Sequence, residues 1–234
     1  LNLEKELRHS ERLASVGRLA SGIAHELGAP LNVIDARAEQ LLGRPNVAVE
    51  KRIKNLTIIR SQCVRITHIV RQLLNLARPY DLQLEEIRIG DLIKSVLEGF
   101  EASETIRIDF EANNGLTILG DGDFLRQVFF NIFNNAFHAM SAGGALKIEI
   151  SKTVRDDKNF VVVEISDTGT GIAPDNLERI FEPFYTTKAI GEGTGLGLSV
   201  SRRIVEEHGG IIEASNNTAN GARFTIYLPT NEEL

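Results

Sequence analysis

The sequence predicts an α+β chain: a helical hairpin over residues 1-77 that pairs with a second copy as a four-helix bundle, then a two-layer α/β sandwich over residues 78-234. Three observations carry this expectation. Apolar residues up to about residue 77 recur at heptad spacing; short strand-like apolar runs begin after Arg78-Pro79; and segments of helical period lie between those runs.

In the first segment Leu13, Val16, Ala20, Ile23 and Leu27 are spaced 3, 4, 3, 4, and Leu31, Ile34, Ala38 and Leu41 resume the seam after a one-residue slip at Pro30. A proline inside a helix removes a backbone hydrogen bond, so a kink or bulge is expected there. Gly43, Pro45 and Asn46 turn the chain. In the second segment Leu56, Ile59, Cys63, Ile66, Val70, Leu73 and Ala77 keep 3, 4 spacing for three heptads. Seams this narrow are not buried by one pairing, whereas two hairpins bury them in a shared core, so a homodimer is expected.

The strands are expected at Thr105 to Glu111, Ala145 to Ser151, Phe160 to Asp167 and Arg223 to Leu228, with helices near 91-100, 122-140 and 196-208. Pro79 is the expected hinge. With 42% hydrophobic and 25% charged residues the chain can bury a core. A net charge of -6 without a run of Lys or Arg argues against nucleic acid as a partner. The single cysteine, Cys63, excludes an intrachain disulfide framework and suits a reducing cytoplasm. No apolar stretch approaches the roughly 20 residues that span a bilayer. The chain starts at Leu1, and its sole methionine is Met140, so it reads as a soluble fragment of something longer upstream, whose parent can be membrane-anchored.

Several residues suggest chemistry. With Leu13, Ala20 and Leu27 at heptad position a, His25 falls at f, away from the seam. His68 falls at f of the second helix, so context rather than register distinguishes His25: Glu26 follows it and can hold one imidazole proton while the other nitrogen attacks phosphorus. Around residues 127-140, Leu125, Val128, Phe129, Ile132, Ala136 and Ala139 can face the sheet, leaving Asn131, Asn134, Asn135 and His138 as a polar stripe. A solvated face favours Glu and Lys, since asparagine costs helix propensity; carboxamide oxygens suit Mg²⁺ that bridges phosphates.

Asp167-Thr-Gly-Thr-Gly-Ile172 closes a buried-type strand, where a carboxylate can accept from an exocyclic amine while Gly169, Gly171 and Ile172 pass close to a flat ring. The run that begins at Gly191 and continues through Gly193, Thr194, Gly195, Leu196, Gly197 and Leu198 leads into a helix, a place where backbone N–H groups bind phosphates. Between these runs, Phe181, Phe184, Tyr185 and Lys188 lie in a segment that reads as a lid over a nucleotide.

In this order the motifs resemble the sensor histidine kinases over nearly the whole chain. His25-Glu26 with Pro30 is similar to the H box, Asn131 with Asn135 to the N box, Asp167-x-Gly169-x-Gly171 to the first glycine box, Phe181 to Phe184 to the F box, and Gly193-x-Gly195-x-Gly197 to the second glycine box. The resemblance implies an ATP-binding sandwich of the histidine kinase, topoisomerase and heat-shock ATPase type. It also implies ATP and Mg²⁺ as cofactors, Asp167 on adenine, Asn135 with Asn131 on the metal, and the loop through Gly197 around the phosphates. His138 stands where the family often has lysine, arginine or glutamine, so its phosphate contact depends on protonation.

The resemblance further implies autophosphorylation of His25 and transfer to an aspartate of a response regulator receiver domain. An upstream sensor domain of the same full-length chain would act through residues 1-16. One position departs from the pattern. Four residues after the histidine much of the family has Thr or Asn, which orients a hydrolytic water; this chain has Ala29, so weak phosphatase activity is expected. Two other readings share the ATP domain, an ATPase machine and a nucleotide-binding scaffold without phosphotransfer; His25-Glu26 opposes the first, and Asn131, Asn135 and Asp167 oppose the second.

Overall fold

The computed structural model describes residues 20–43, 48–77, 81–100, 105–111, 115–188 and 193–230; the side chains of residues 20–26, 68 and 71–77 lie outside that description. The chain divides into two compact units, one within Leu1–Tyr80 and Pro183–Leu196, the other within Asp81–Glu182 and Gly197–Leu234.

The first unit is built on a hairpin of α1 (Ala20–Leu42) and α2 (Val49–Ala77). Helix α1 continues through Pro30, which is buried, and closes with the Gly43 N–H donating to the Glu39 carbonyl at 2.8 Å. The apolar seam of α2 divides into two stripes. Asn55, Ile59, Gln62, Ile66 and Ile69 are buried or half-buried, whereas Ile53, Leu56, Cys63 and Val70 are exposed. The expected seam thus takes Ile59 and Ile66 from the inner stripe and Leu56, Cys63 and Val70 from the outer one. One hairpin covers only the side of each helix that meets the other helix. The turn residues Pro45 and Asn46, the hinge Pro79, the segment 1-16 and Gly191 lie outside the described residues.

The second unit holds a five-stranded sheet in the order β2 (Ile106–Phe110), β4 (Gly144–Arg155), β5 (Lys158–Asp167), β7 (Ala222–Pro229), β6 (Ile211–Asn216). β2 and β4 are parallel and the other pairs antiparallel. A separate antiparallel pair joins β1 (Glu85–Arg88) to β3 (Thr117–Gly120). Helices α3 (Ile89–Leu97), α4 (Gly122–Ala139) and α5 (Gly197–Glu207) complete the unit. The strands expected from sequence are present, and β1, β3 and β6 are additional. β4 and β5 also extend further than expected, meeting at Asp156-Asp157, both with positive φ of 51° and 58°, the left-handed pair that a two-residue hairpin turn with matching twist requires.

Period-two alternation sorts the sheet's faces. Leu146, Ile148, Val161, Val163, Ile165, Phe224, Ile226 and Leu228 are buried and share one face by register. On the other face Lys147 pairs with Glu149 at 2.8 Å and Arg223 with Glu164 at 3.5 Å. Leu125, Val128, Phe129, Ile132, Phe133 and Ala136 form the buried side of α4. Full burial of side chains this size stabilises by roughly 1.5–3 kcal/mol each, so the core fixes α4 in rotation and with it the direction of its polar stripe. Asp167 follows Val163 and Ile165 at the next core-facing position of β5, which places a carboxylate at the rim of the apolar layer.

Candidate nucleotide site

Asp167 is only 4% exposed, yet its carboxylate is well supplied on one side. Oδ1 accepts the backbone N–H of Gly169 at 2.8 Å and that of Ala222 at 3.2 Å, while Oδ2 has no partner among the described residues. Burial raises the Asp167 pKa above its ordinary value, and the two backbone N–H groups oppose that rise. An acceptor held rigidly at the rim of the core with one oxygen to spare suits an incoming N–H donor such as an exocyclic amine.

The turn after Asp167 is fixed against its neighbours. A side chain at Gly169 would place Cβ 2.7 Å from the Ala139 carbonyl oxygen, so the turn lies directly on the end of α4. Thr168 Oγ1 accepts the Ala145 N–H at 2.9 Å and donates toward the Met140 sulfur at 3.8 Å. Gly171 has φ of +70°, a left-handed conformation that costs other residues strain. The backbone of Ile172 bonds twice to the Asn216 carboxamide, at 2.8 and 2.6 Å. The strand-end turn expected at Asp167, Gly169, Gly171 and Ile172 is therefore braced from α4, β4 and the end of β6.

Helix α4 begins at Asp121, whose Oδ1 accepts the N–H groups of Asp123 and Phe124 at 3.1 and 3.3 Å, a side-chain cap for donors that the helix leaves unpaired. Three turns on, the Asn131 amide nitrogen donates to the Gly197 carbonyl at 3.0 Å and to Ser201 Oγ at 3.1 Å. Asn131 thus ties α4 to the first turn of α5, leaving its carbonyl oxygen as the group available to a cation. Asn134 and Asn135 are half-buried. His138 is exposed, and its Nδ1 lies 2.6 Å from the Asn134 carbonyl, so Nδ1 carries the proton and Nε2 is the ring's other polar atom.

Gly197 opens α5, and Leu198 follows within its first turn, so the glycine run ends at a helix N-terminus as expected. The segment Pro183–Leu196 has its own closure. Phe184, with φ of +66°, donates its N–H to the Gly195 carbonyl at 2.9 Å; a Cβ on Gly195 would fall 2.3 Å from the Phe184 carbonyl carbon. Gly195 is thus required by contact and by its own φ of +64°. Thr194 Oγ1 accepts the N–H of Leu196, which is buried. The Lys188 stem passes Gly193, where a Cβ would lie 3.1 Å from Lys188 Cδ, and Tyr185 is half-buried.

His25 and Glu26 lie within α1, but their side chains are outside the described residues. Within the second unit, then, the Asp167 turn, the asparagine stripe of α4 and the start of α5 are bonded into one assembly. Sequence reasoning missed Asn216, Asn217, Gly221, Asp121, His208 and Ser201. Asn216-Asn217 followed by Asn220-Gly221 reads in sequence as an ordinary turn; only the fold brings it to Asp167, about 50 residues away.

Comparison with known proteins gives the family. Residues 120–232 match the family model of the histidine kinase-, DNA gyrase B- and HSP90-like ATPases, and residues 15–79 match the His Kinase A phospho-acceptor domain. The chain is 36% identical over 227 residues to the sensor histidine kinase ZraS of Salmonella typhimurium strain LT2, covering 95% of this chain and 48% of ZraS. It is 33% identical over 234 residues to the signal transduction histidine-protein kinase AtoS of Escherichia coli strain K12, covering 98% of this chain and 37% of AtoS. The chain thus spans half or less of the length of these relatives. Among solved structures, histidine kinase ThkA in complex with the response regulator protein TrrA superposes with a TM-score of 0.82 at 29% identity, covering 98% of this chain and 66% of ThkA. The separate catalytic domain of ThkA aligns at 34% identity with a TM-score of 0.56, over 63% of this chain and 96% of that domain. With both family models in the expected order and the Asp167 turn built as described, the chain belongs to the sensor histidine kinases.

Proposed function

We propose that this chain is the catalytic core of a protein-histidine kinase, which phosphorylates itself on His25 from ATP and passes the phosphoryl group to an aspartate of a response regulator. The observation that carries this reading is the Asp167 carboxylate, with Oδ1 held by two backbone N–H groups and Oδ2 left for a base amine, in the same chain as a phospho-acceptor match spanning His25. Residues 1-77 form the dimerising phosphotransfer hairpin and residues 78-234 the ATP-binding domain. The exposed stripe of Ile53, Leu56 and Val70 on α2 supports pairing of two hairpins as a homodimer, since a coiled-coil seam left in water forfeits its burial.

In the reaction an imidazole nitrogen of His25 attacks the γ-phosphorus in line. The N–P bond forms as the bond to the bridging oxygen breaks, ADP leaves, and Glu26 accepts the proton lost from the ring. Asp167 orients the adenine, with Gly169, Gly171 and Ile172 flanking it. Backbone N–H groups from Gly193 to Leu198, with Lys188 and His138, meet the phosphates, while Tyr185 belongs to the covering segment. Mg²⁺, held by the carbonyl oxygen of Asn135 with support from that of Asn131, would supply charge neutralisation at the phosphates. The donor set fits that ion: the Asn131 amide nitrogen is committed to Gly197 and Ser201, which fixes its oxygen, and a few neutral ligands suit a cation that keeps most of its waters.

An upstream sensor domain and a response regulator are the expected partners, and the cytoplasm the expected location. No helix among the described residues is long and apolar enough to cross a membrane. Incubation with γ-labelled ATP tests the proposal. Acid-labile, base-stable label that disappears in His25→Gln is expected; phosphate release without label indicates an ATPase, and nucleotide binding with neither indicates a scaffold.

A further inference from the structure

We propose that Asn216 and Asn217, at the end of β6, are positioning residues of the base subsite that set its preference for adenine; this rests on the reading of Asp167 as the group that takes the base amine. The two side chains hold opposite ends of the Asp167–Ile172 turn. Asn216 Oδ1 accepts the Ile172 N–H at 2.8 Å and its amide nitrogen donates to the Ile172 carbonyl at 2.6 Å, so one carboxamide takes both backbone polar groups of that residue. The Asn217 amide nitrogen donates to the Asp167 carbonyl at 2.8 Å and to the Ala222 carbonyl at 3.2 Å. Together they secure the carboxylate end and the glycine end of one turn from a single point in the chain.

The surrounding backbone is shaped for this. The Asn217 N–H donates to the Gly221 carbonyl at 2.9 Å, and the short loop so closed brings the Ala222 N–H onto Asp167 Oδ1 at 3.2 Å. Gly171 lies beneath the Asn216 carboxamide, where a Cβ would be 3.1 Å from Oδ1. Asn217 Oδ1 is buried without a partner among the described residues. A leucine of similar size would avoid that orphaned oxygen, but it would offer no donor to the Asp167 carbonyl, so the amide is explained by what its nitrogen holds.

Asn216 is exposed, and water competes for its bonds. Its removal should therefore leave global stability nearly unchanged while freeing Ile172 and the flanking glycines to move. A carboxylate that recognises one amine requires placement within about half an ångström, so loss of the brace falls on base recognition before anything else.

The experiment measures dissociation constants for ATP and GTP on the intact 234-residue chain, by competition with a fluorescent ATP analogue, for the wild type, Asn216→Ala, Asn217→Ala and Asp167→Asn. Amide hydrogen exchange at Ile172 and melting temperature are followed in parallel. For Asn216→Ala we expect ATP binding roughly tenfold weaker, GTP binding unchanged, faster exchange at Ile172 and an unaltered melting temperature. Asn217→Ala should shift the ATP-to-GTP ratio in the same direction. Asp167→Asn keeps an acceptor for Gly169 and Ala222 but presents an amide to the base, so it should erase the preference for ATP.

If Asp167→Asn leaves the ATP-to-GTP ratio intact, the base reading fails and the proposal with it. If Asp167→Asn erases the ratio while Asn216→Ala and Asn217→Ala leave it intact, the proposal alone fails. Equal loss of ATP and GTP binding with a lowered melting temperature in the asparagine variants would show a purely structural role and also overturn it.

Discussion

The His208 imidazole, just beyond the end of α5, accepts the backbone N–H of Asp121, the N-cap of α4, at 2.9 Å through Nε2. Its Nδ1 donates to the Ile204 carbonyl at 2.7 Å, so both ring nitrogens are used by the neutral imidazole. Gly120 makes room for the ring: a Cβ there would lie 3.2 Å from His208 Cδ2. Asp121 Oδ2 meanwhile accepts the Gln83 N–H at 3.0 Å. One buried histidine thus joins the helix that carries the asparagine stripe to the helix that begins at the glycine run.

His208→Ala leaves the Asp121 N–H buried and unpaired, which should destabilise the chain by about 1–3 kcal/mol. Asp121→Ala removes the α4 cap and should cost about 0.5–2 kcal/mol. Because His208 bonds to the backbone N–H, which Asp121→Ala retains, whereas the Asp121 carboxylate caps other N–H groups, the two losses should add to within about 0.5 kcal/mol in urea unfolding. A much smaller loss in the double variant would show that the cap and the histidine act as one unit.

Asp167 provides a pH test. Its folded-state pKa is raised by burial, so the folded chain holds the proton more tightly than the unfolded one. The contribution to stability is therefore best below the unfolded carboxylate range and declines as pH rises through the folded-state value, where ionisation occurs in a buried place. Asp167→Asn, which retains an acceptor for Gly169 and Ala222, should lack that decline. Without nucleotide at neutral pH it should melt no lower than the wild type; a lower melting point, growing worse as pH rises, would contradict the assignment.

Gly221 is predicted to be intolerant. Its φ is +91°, and a Cβ would lie 1.9 Å from the Asp167 carbonyl oxygen, so Gly221→Ala must displace the backbone of β5 or of its own loop. We expect destabilisation above about 2 kcal/mol, read by thermal or urea unfolding, with weakened ATP binding.

Leu56 is 52% exposed on the outer stripe of α2. Leu56→Asp would bury a charge in the proposed bundle core, and light scattering should show conversion of the dimer to monomer at micromolar concentration. Retention of the dimer would place the interface elsewhere.

Ala29 lies half-buried on α1, four residues after His25. A methyl group cannot orient a water for hydrolysis of the phosphorylated partner, so dephosphorylation with ADP present should be slow and should quicken in Ala29→Thr. Brisk loss of phosphate with Ala29, unimproved by the substitution, would refute this.

Much of the fold was legible in sequence because periodicity reports burial directly. The heptads up to residue 77 announce two helices, and the apolar run Val161 to Ile165 and the stripe of Leu125, Val128, Phe129 and Ile132 each announce an element and its buried residues. The short strands β1 and β3 escaped, since four residues give two alternations at most and pair only with each other. The Asp167 turn and the glycine run could be read as turns because glycine spells out local backbone freedom.

What braces the site is not local. Asn216 and Asn217 look like turn residues, and His208 like any histidine near a helix end, until β6 is laid beside β7 and α5 beside α4. The sequence by itself determined the helices, four of the seven strands among the described residues, the buried face of α4 and which chemical groups the chain carries. Tertiary structure alone decided which distant carboxamide closes the turn, which oxygen of Asp167 is left for a ligand, and which half of the α2 seam one hairpin covers. The reason is physical: periodicity and propensity act over a few residues, whereas a hydrogen bond across 44 or 50 residues exists only once packing has fixed both ends.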